Sequence, residues 1–188
     1  MKRTGLVRWG GLAAMVGGVI FAVNGSLGGP EAVGTLRWST VLFLLSMMVL
    51  IVALHLLQKE RERYGPQGAV VSATAFVGVA LAVVGYILMD FVISLESIGI
   101  TLFLLGLLVA TPGIIALGVI TLVVEVLPRW SGAALICGNP LLGLFFILIF
   151  YAENFALGSL LVAVPWIVVG FAVFRAASHQ TQQPSRVR

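Results

Sequence analysis

The chain has 188 residues, of which 60% are hydrophobic and 10% charged, with a formal net charge of +4 and a mean hydropathy of +1.13. A soluble domain carries about 25% charged residues, so this chain cannot cover a water-facing surface and lipid must be the solvent for most of it. One cysteine excludes an internal disulfide and a thiolate metal cluster, and His55 and His179 are too few and too distant for a zinc motif.

The apolar runs predict an all-α, polytopic membrane protein: one domain over residues 1–176 with six transmembrane helices at about 8–26, 38–57, 69–93, 98–127, 131–151 and 155–175. Helices are required because unpaired backbone groups find no water in the lipid core. The first run has a basic start and an apolar centre but no clear cleavage site, so it is expected to stay as a helix. Arg8 and Trp9 at its entry are the pair that anchors a span at the headgroups. Gly10 and Gly17, and Gly11 and Gly18, recur every seven residues, nearly two helical turns, so each pair lines a face along which another backbone can approach.

The second run opens at Trp38, a further anchor, and ends near His55, which could bond to a neighbour or to water. The segment "QKERERYGPQG" that follows alternates sign and reads as a solvated helix extension.

The third run carries Asp90 near its far end, in "YILMDFVIS". At 100° per residue Asp90 shares a face with Val79, Val83, Tyr86, Ser94 and Ser97, well away from the Gly78–Gly85 stripe. It lies some four residues, about 6 Å, from the expected helix end, where an acid reaches headgroup water at modest cost. The sharper alternative is a cation or proton site with Tyr86 as hydrogen-bond partner.

The fourth run is about 30 residues long, enough for about 45 Å of straight helix. Pro112 and Gly113, after Thr111, predict a kink or tilt. Gly99, Gly106 and Gly113 continue the seven-residue spacing. Glu125 and Arg129 are placed to pair at the end of this run.

The fifth run begins "RWSGAALICGN" (129–139) and aligns without gaps with "RWGGLAAMVGG" (8–18). Arg129 and Trp130 are its anchors. Convergent anchoring explains the match; the alternative is a repeat of helical hairpins, three in all. Asn139 precedes Pro140 near mid-span, and the sixth run has Pro165 and Trp166 at similar depth. Three prolines in consecutive spans, Pro112, Pro140 and Pro165, are common in ordinary membrane helices but would also suit broken helices around a shared cavity. Residues 177–188 are polar and predict a disordered tail.

The connecting segments test the count. Ten of the eleven basic residues fall on one side of the six crossings and only Arg37 on the other. By the positive-inside rule both termini are cytoplasmic in a multi-pass protein of the cell membrane, on the pattern of small bacterial inner-membrane proteins. Glu31, Asp90, Glu96 and Glu153 gather on the opposite side. Because the charges separate apolar runs, the basic pI of about 9.8 reflects topology; no nucleic acid, cofactor or metal is expected. The partners expected are the lipid bilayer and either a second copy of the chain or another membrane protein.

No nucleophile elbow, Walker loop, metalloprotease helix or recognisable Ser–His–Asp set is present. The leading expectation is therefore a non-enzymatic scaffold, accessory or stress-response protein. The alternative is a small-solute, cation or proton transporter working through Asp90, Tyr86, Thr111 and Asn139.

Overall fold

The computed structural model describes residues 2–27, 33–59, 63–139 and 155–182. They form six helices and no strand: α1 Lys2–Leu27, α2 Val33–Gln58, α3 Gly65–Phe91, α4 Glu96–Val124, α5 Arg129–Cys137 and α6 Phe155–Gln182. A single 3₁₀ turn, Ile93–Leu95, joins α3 to α4. Five helices, all but α5, are long and apolar enough to cross a membrane. The protein is a helical, multi-pass membrane bundle.

The helices pack in a closed sequence, each against its chain neighbours and α6 back onto α1. The glycines show the direction of each contact. Gly10 meets Ala53 and Gly17 meets Ser46, so α1 and α2 are antiparallel. Gly11 meets Gly170 and Phe174 and Gly18 meets Ile167, so α1 and α6 are antiparallel too. Along α3 and α4 the pairs are Gly78 with Ala110, Gly85 with Phe103, Gly99 with Met89, Gly106 with Ala82 and Gly113 with Ala75. The glycine stripes are thus spent inside one compact bundle, where lipid supplies no hydrophobic drive and close backbone packing must hold the helices.

The filling comes mostly from α2, α4 and α6. Met47, Leu50, Ile51, Leu54, Ile114, Leu117, Trp166, Val169 and Val173 belong to one contiguous buried cluster. Each is among the largest fully buried side chains of the described residues. By contrast α1 and α3 present mainly glycine and alanine inward and turn valine and leucine to the lipid: Val16, Val19, Val23, Val70, Val77 and Val84 are all exposed.

Two expectations need correcting. Residues 177–182, expected at the start of a disordered tail, continue α6; Ala177 is buried against the bundle, and no proline or glycine interrupts the helix there. The fifth helix does not run through 131–151: α5 stops at Cys137, with Gly138 as its C-cap. A residue before proline is pushed away from helical geometry, and Asn139 precedes Pro140. Nine residues give only about 13 Å of helix, so α5 alone cannot span. Pro140 and the rest of that run lie outside the described residues. In α4, by contrast, the chain stays helical through Pro112, which is exposed.

The aligned glycines of α1 and α5 hold matching places. Gly17 packs on α2 and its counterpart Gly138 packs on Pro165 of α6, each the next described helix along the chain. Gly11 packs on α6 and its counterpart Gly132 packs on Gly118 of α4, each the helix on the other flank.

Candidate functional site

Asn139, Thr111, Pro165 and Trp166 come together at one level of the bundle, where α5 ends. Asn139 is buried, and Thr111 Oγ1 lies 3.0 Å from its side-chain oxygen and 2.8 Å from the Leu107 carbonyl. A hydroxyl has one proton, so it is shared between these acceptors, or the Asn139 amide turns to donate to Thr111 and leaves that proton to Leu107. The Trp166 indole donates to the Gly138 carbonyl at 2.8 Å. This fills one of the carbonyls that a helix C-terminus leaves open and gives the buried indole the partner it needs. The break in α5 is therefore clamped from both sides, by Thr111 of α4 and Trp166 of α6.

Asp90 is elsewhere. With Gly78 against Ala110 and Gly85 against Phe103, Thr111 lies opposite residue 77. Asp90 is 13 residues further along α3, about 20 Å at 1.5 Å per residue. It is half-buried at the end of α3. Tyr86, one turn below it, rests its ring 5.7 Å from that of Phe103. The four candidate transport residues thus divide into two groups: Asp90 with Tyr86, and Thr111 with Asn139.

A second polar cluster, at the basic end of the bundle, joins residues that sequence reasoning had not assembled. Tyr64, just before α3, stands between His55 and Ser72: its hydroxyl is 2.6 Å from His55 Nδ1 and 2.6 Å from Ser72 Oγ. Burial pushes the Tyr64 phenol above its ordinary range, against a smaller opposing pull from Ser72, so it keeps its proton and can donate. Gln58 donates to Thr121 at 2.8 Å, and the Thr121 hydroxyl donates in turn to the Leu117 carbonyl at 2.7 Å. These contacts fasten the end of α2 to α3 and to α4. Gln58 Oε1 and Ser131 Oγ are buried with no hydrogen-bond partner among the described residues. A cleft of about 240 Å³ between α2 and α3 is lined by His55, Ser72, Phe76 and apolar neighbours. The sequence signals available were a Gln closing one apolar run and the last of three threonines spaced ten apart in another.

The residues read as anchors lie near the starts of their helices. Trp9, Trp38 and Trp130 are exposed. Trp9 and Trp130 open α1 and α5 at the basic end, and Trp38 is at the other end, its ring 4.8 Å from Phe91. Arg8 lies over the Phe174 ring at 4.9 Å. Arg129 donates to Glu125 at 3.0 Å, both side chains exposed, so the pair fixes little energy. Among the described residues no three His, Cys, Asp or Glu side chains converge as a metal site. No known family matches the chain, and neither the curated proteins nor the solved structures yielded a match.

Proposed function

We propose that the chain is a six-span protein of the cell membrane, with both termini cytoplasmic, that works without chemistry of its own as a scaffold or accessory subunit. One observation carries this reading. The middle of the bundle is filled by large apolar side chains of α2, α4 and α6, and the polar groups of the Thr111–Asn139, Trp166–Gly138 and Gln58–Thr121 contacts tie helix to helix. On this reading the outer faces do the work, through a second copy or another membrane protein. The matching places of Gly17 with Gly138 and Gly11 with Gly132 support three hairpins related by duplication.

The test is the state of the protein in bilayer nanodiscs or mild detergent. A discrete self-assembly or a stoichiometric membrane partner is expected; a strict monomer that retains no partner overturns the role. The topology is tested separately. With Cys137 replaced by serine, single cysteines near the two termini should be labelled from the same side of the membrane.

A transporter is the second reading, and the end of α5 two residues before Asn139 favours it, since half-helices ending at mid-membrane are how many transporters expose backbone to a substrate. On that reading Asn139, with Thr111, is the working group. Asn139→Leu would then abolish flux in liposomes while Asp90→Asn would not.

A further inference from the structure

At the basic end a groove of about 430 Å³ runs between the α4–α5 corner and the last turns of α6, lined by Val126, Pro128, Trp130, Phe171, Arg175 and His179 among others. Its two ends differ in chemistry. Phe171 and Val126 form an apolar floor that continues onto the lipid-facing surface of α6. Arg175 and His179, one turn apart, form a polar mouth, and both are exposed. The nearest acid in the α4–α5 corner is Glu125, and its charge is already met by Arg129, so Arg175 is not neutralised from that corner. The groove lies where the apolar span of α6, Leu157–His179, comes to its end, at the depth of the headgroups. Trp130 at the rim has the amphipathic ring that prefers this depth.

We infer that this groove is a binding site for one anionic phospholipid, its phosphate held by the Arg175 guanidinium with His179 beside it and its first acyl carbons laid along Phe171 and Val126. The guanidinium is a planar fork of donors that fits phosphate oxygens in pairs. Basic pockets between spans at a membrane surface are where acidic headgroups are selected. A free phosphate would use the mouth but gain nothing from the apolar floor. This assignment requires only that the bundle sits in a membrane and does not depend on the scaffold role.

The experiment is native mass spectrometry of the full chain released from nanodiscs of equal phosphatidylglycerol and phosphatidylcholine. One phosphatidylglycerol is expected to stay bound in preference to phosphatidylcholine. Arg175→Gln should reduce that retention about fivefold, the worth of one basic residue at a lipid surface, and Arg175→Lys should restore part of it. Arg63→Gln, at a basic residue of the same end that bonds to the Val123 carbonyl and does not line the groove, should leave retention unchanged. The inference is overturned by equal retention of the two lipids, or by an equal loss in the Arg63 variant, which would reduce the effect to general surface charge. It is overturned as well if inorganic phosphate at millimolar concentration displaces the lipid completely, because the site would then recognise phosphate alone. Both substitutions are at exposed positions, and unchanged helicity of each variant confirms that a loss of lipid is not a loss of fold.

Discussion

The α3–α4 seam and the junction of α4, α5 and α6 hold helices together by opposite means. Along the seam, five glycines bring backbone against backbone: a Cβ at Gly106 would collide with the amide nitrogen of Ala82, and one at Gly85 with that of Phe103. At the junction the helices are tied by side chains, Thr111 to Asn139 and Trp166 to the Gly138 carbonyl. The difference follows from the state of the backbone. Both seam helices are continuous, so apart from the Leu108 carbonyl opposite Pro112 their backbone groups pair within each helix, and close packing is the main means left to exploit. At the junction α5 has ended, so its last carbonyls have no donor within the helix, and in lipid they must find one elsewhere.

Breaking the seam should have an effect at least as large as any at the junction. Gly106→Leu puts a side chain against Ala82 and Gly78 backbone atoms, which cannot move aside without parting the helices. A loss of at least about 3 kcal/mol is expected, the upper part of the usual cost of overpacking. It would appear as a large fall in the thermal midpoint in detergent, or as failure to elute as a single species. Gly5→Ala serves as the control, since nothing lies within 4 Å of a Cβ there. Equal damage from both would mean that the seam is not what the glycines are for.

At the junction the expected costs are graded. Trp166→Ala empties a fully buried site and should cost about 3–5 kcal/mol. Trp166→Phe keeps most of the volume but strips the Gly138 carbonyl of its donor, at about 1 kcal/mol. Thr111→Val removes a hydroxyl at nearly constant shape and should cost about 0.6 kcal/mol, the average for a hydrogen bond between membrane helices. Reversible unfolding in mixed micelles can rank the three. If Trp166→Phe were as costly as Trp166→Ala, the clamp on the α5 break would be worth more than the packing around it.

Much of this contrast was legible in the chain. The seven-residue glycine spacing announced close approach, because identical spacing on a helix becomes a stripe whatever the fold. It could not say which helix would fill each stripe: the α1–α6 contact through Gly11 and Gly18 joins residues more than 140 positions apart. The apolar run around Asn139 and Pro140 reads as one helix through 131–151, but the pair carried a signal for a break, because proline restricts its predecessor. Its clamps were out of reach, since the need of Trp166 for an acceptor was plain but the choice of the Gly138 carbonyl depended on the packing of α5 against α6. Tyr64 was passed over because it sits in a charged, turn-like segment, where nothing local shows that it will be buried and bonded to His55 and Ser72. Asp90 drew attention as an acid in apolar company, yet its place at the end of α3 is what the distance to the helix terminus already implied.

The smallest effect expected is at Asp90, and it is the one that keeps the two regions apart. Asp90→Asn preserves shape at a half-buried position near the end of α3, so it should shift stability by less than about 0.5 kcal/mol. The informative measurement is the double variant with Asn139→Ala. Groups about 20 Å apart along antiparallel helices, sharing no partner, should be additive to within about 0.5 kcal/mol. A coupling of 1 kcal/mol or more between Asp90 and Asn139 would require a polar path along α3 and α4, through a seam where glycine, alanine and phenylalanine backbones are in contact. Such a path could exist only if the seam opens in part of the protein's working cycle, and the same coupling would then have to weaken when Gly85 or Gly106 is bulked up to alanine. Additivity with unchanged flux leaves Asp90 as a headgroup-level acid and assigns any membrane-depth chemistry to the α5 break.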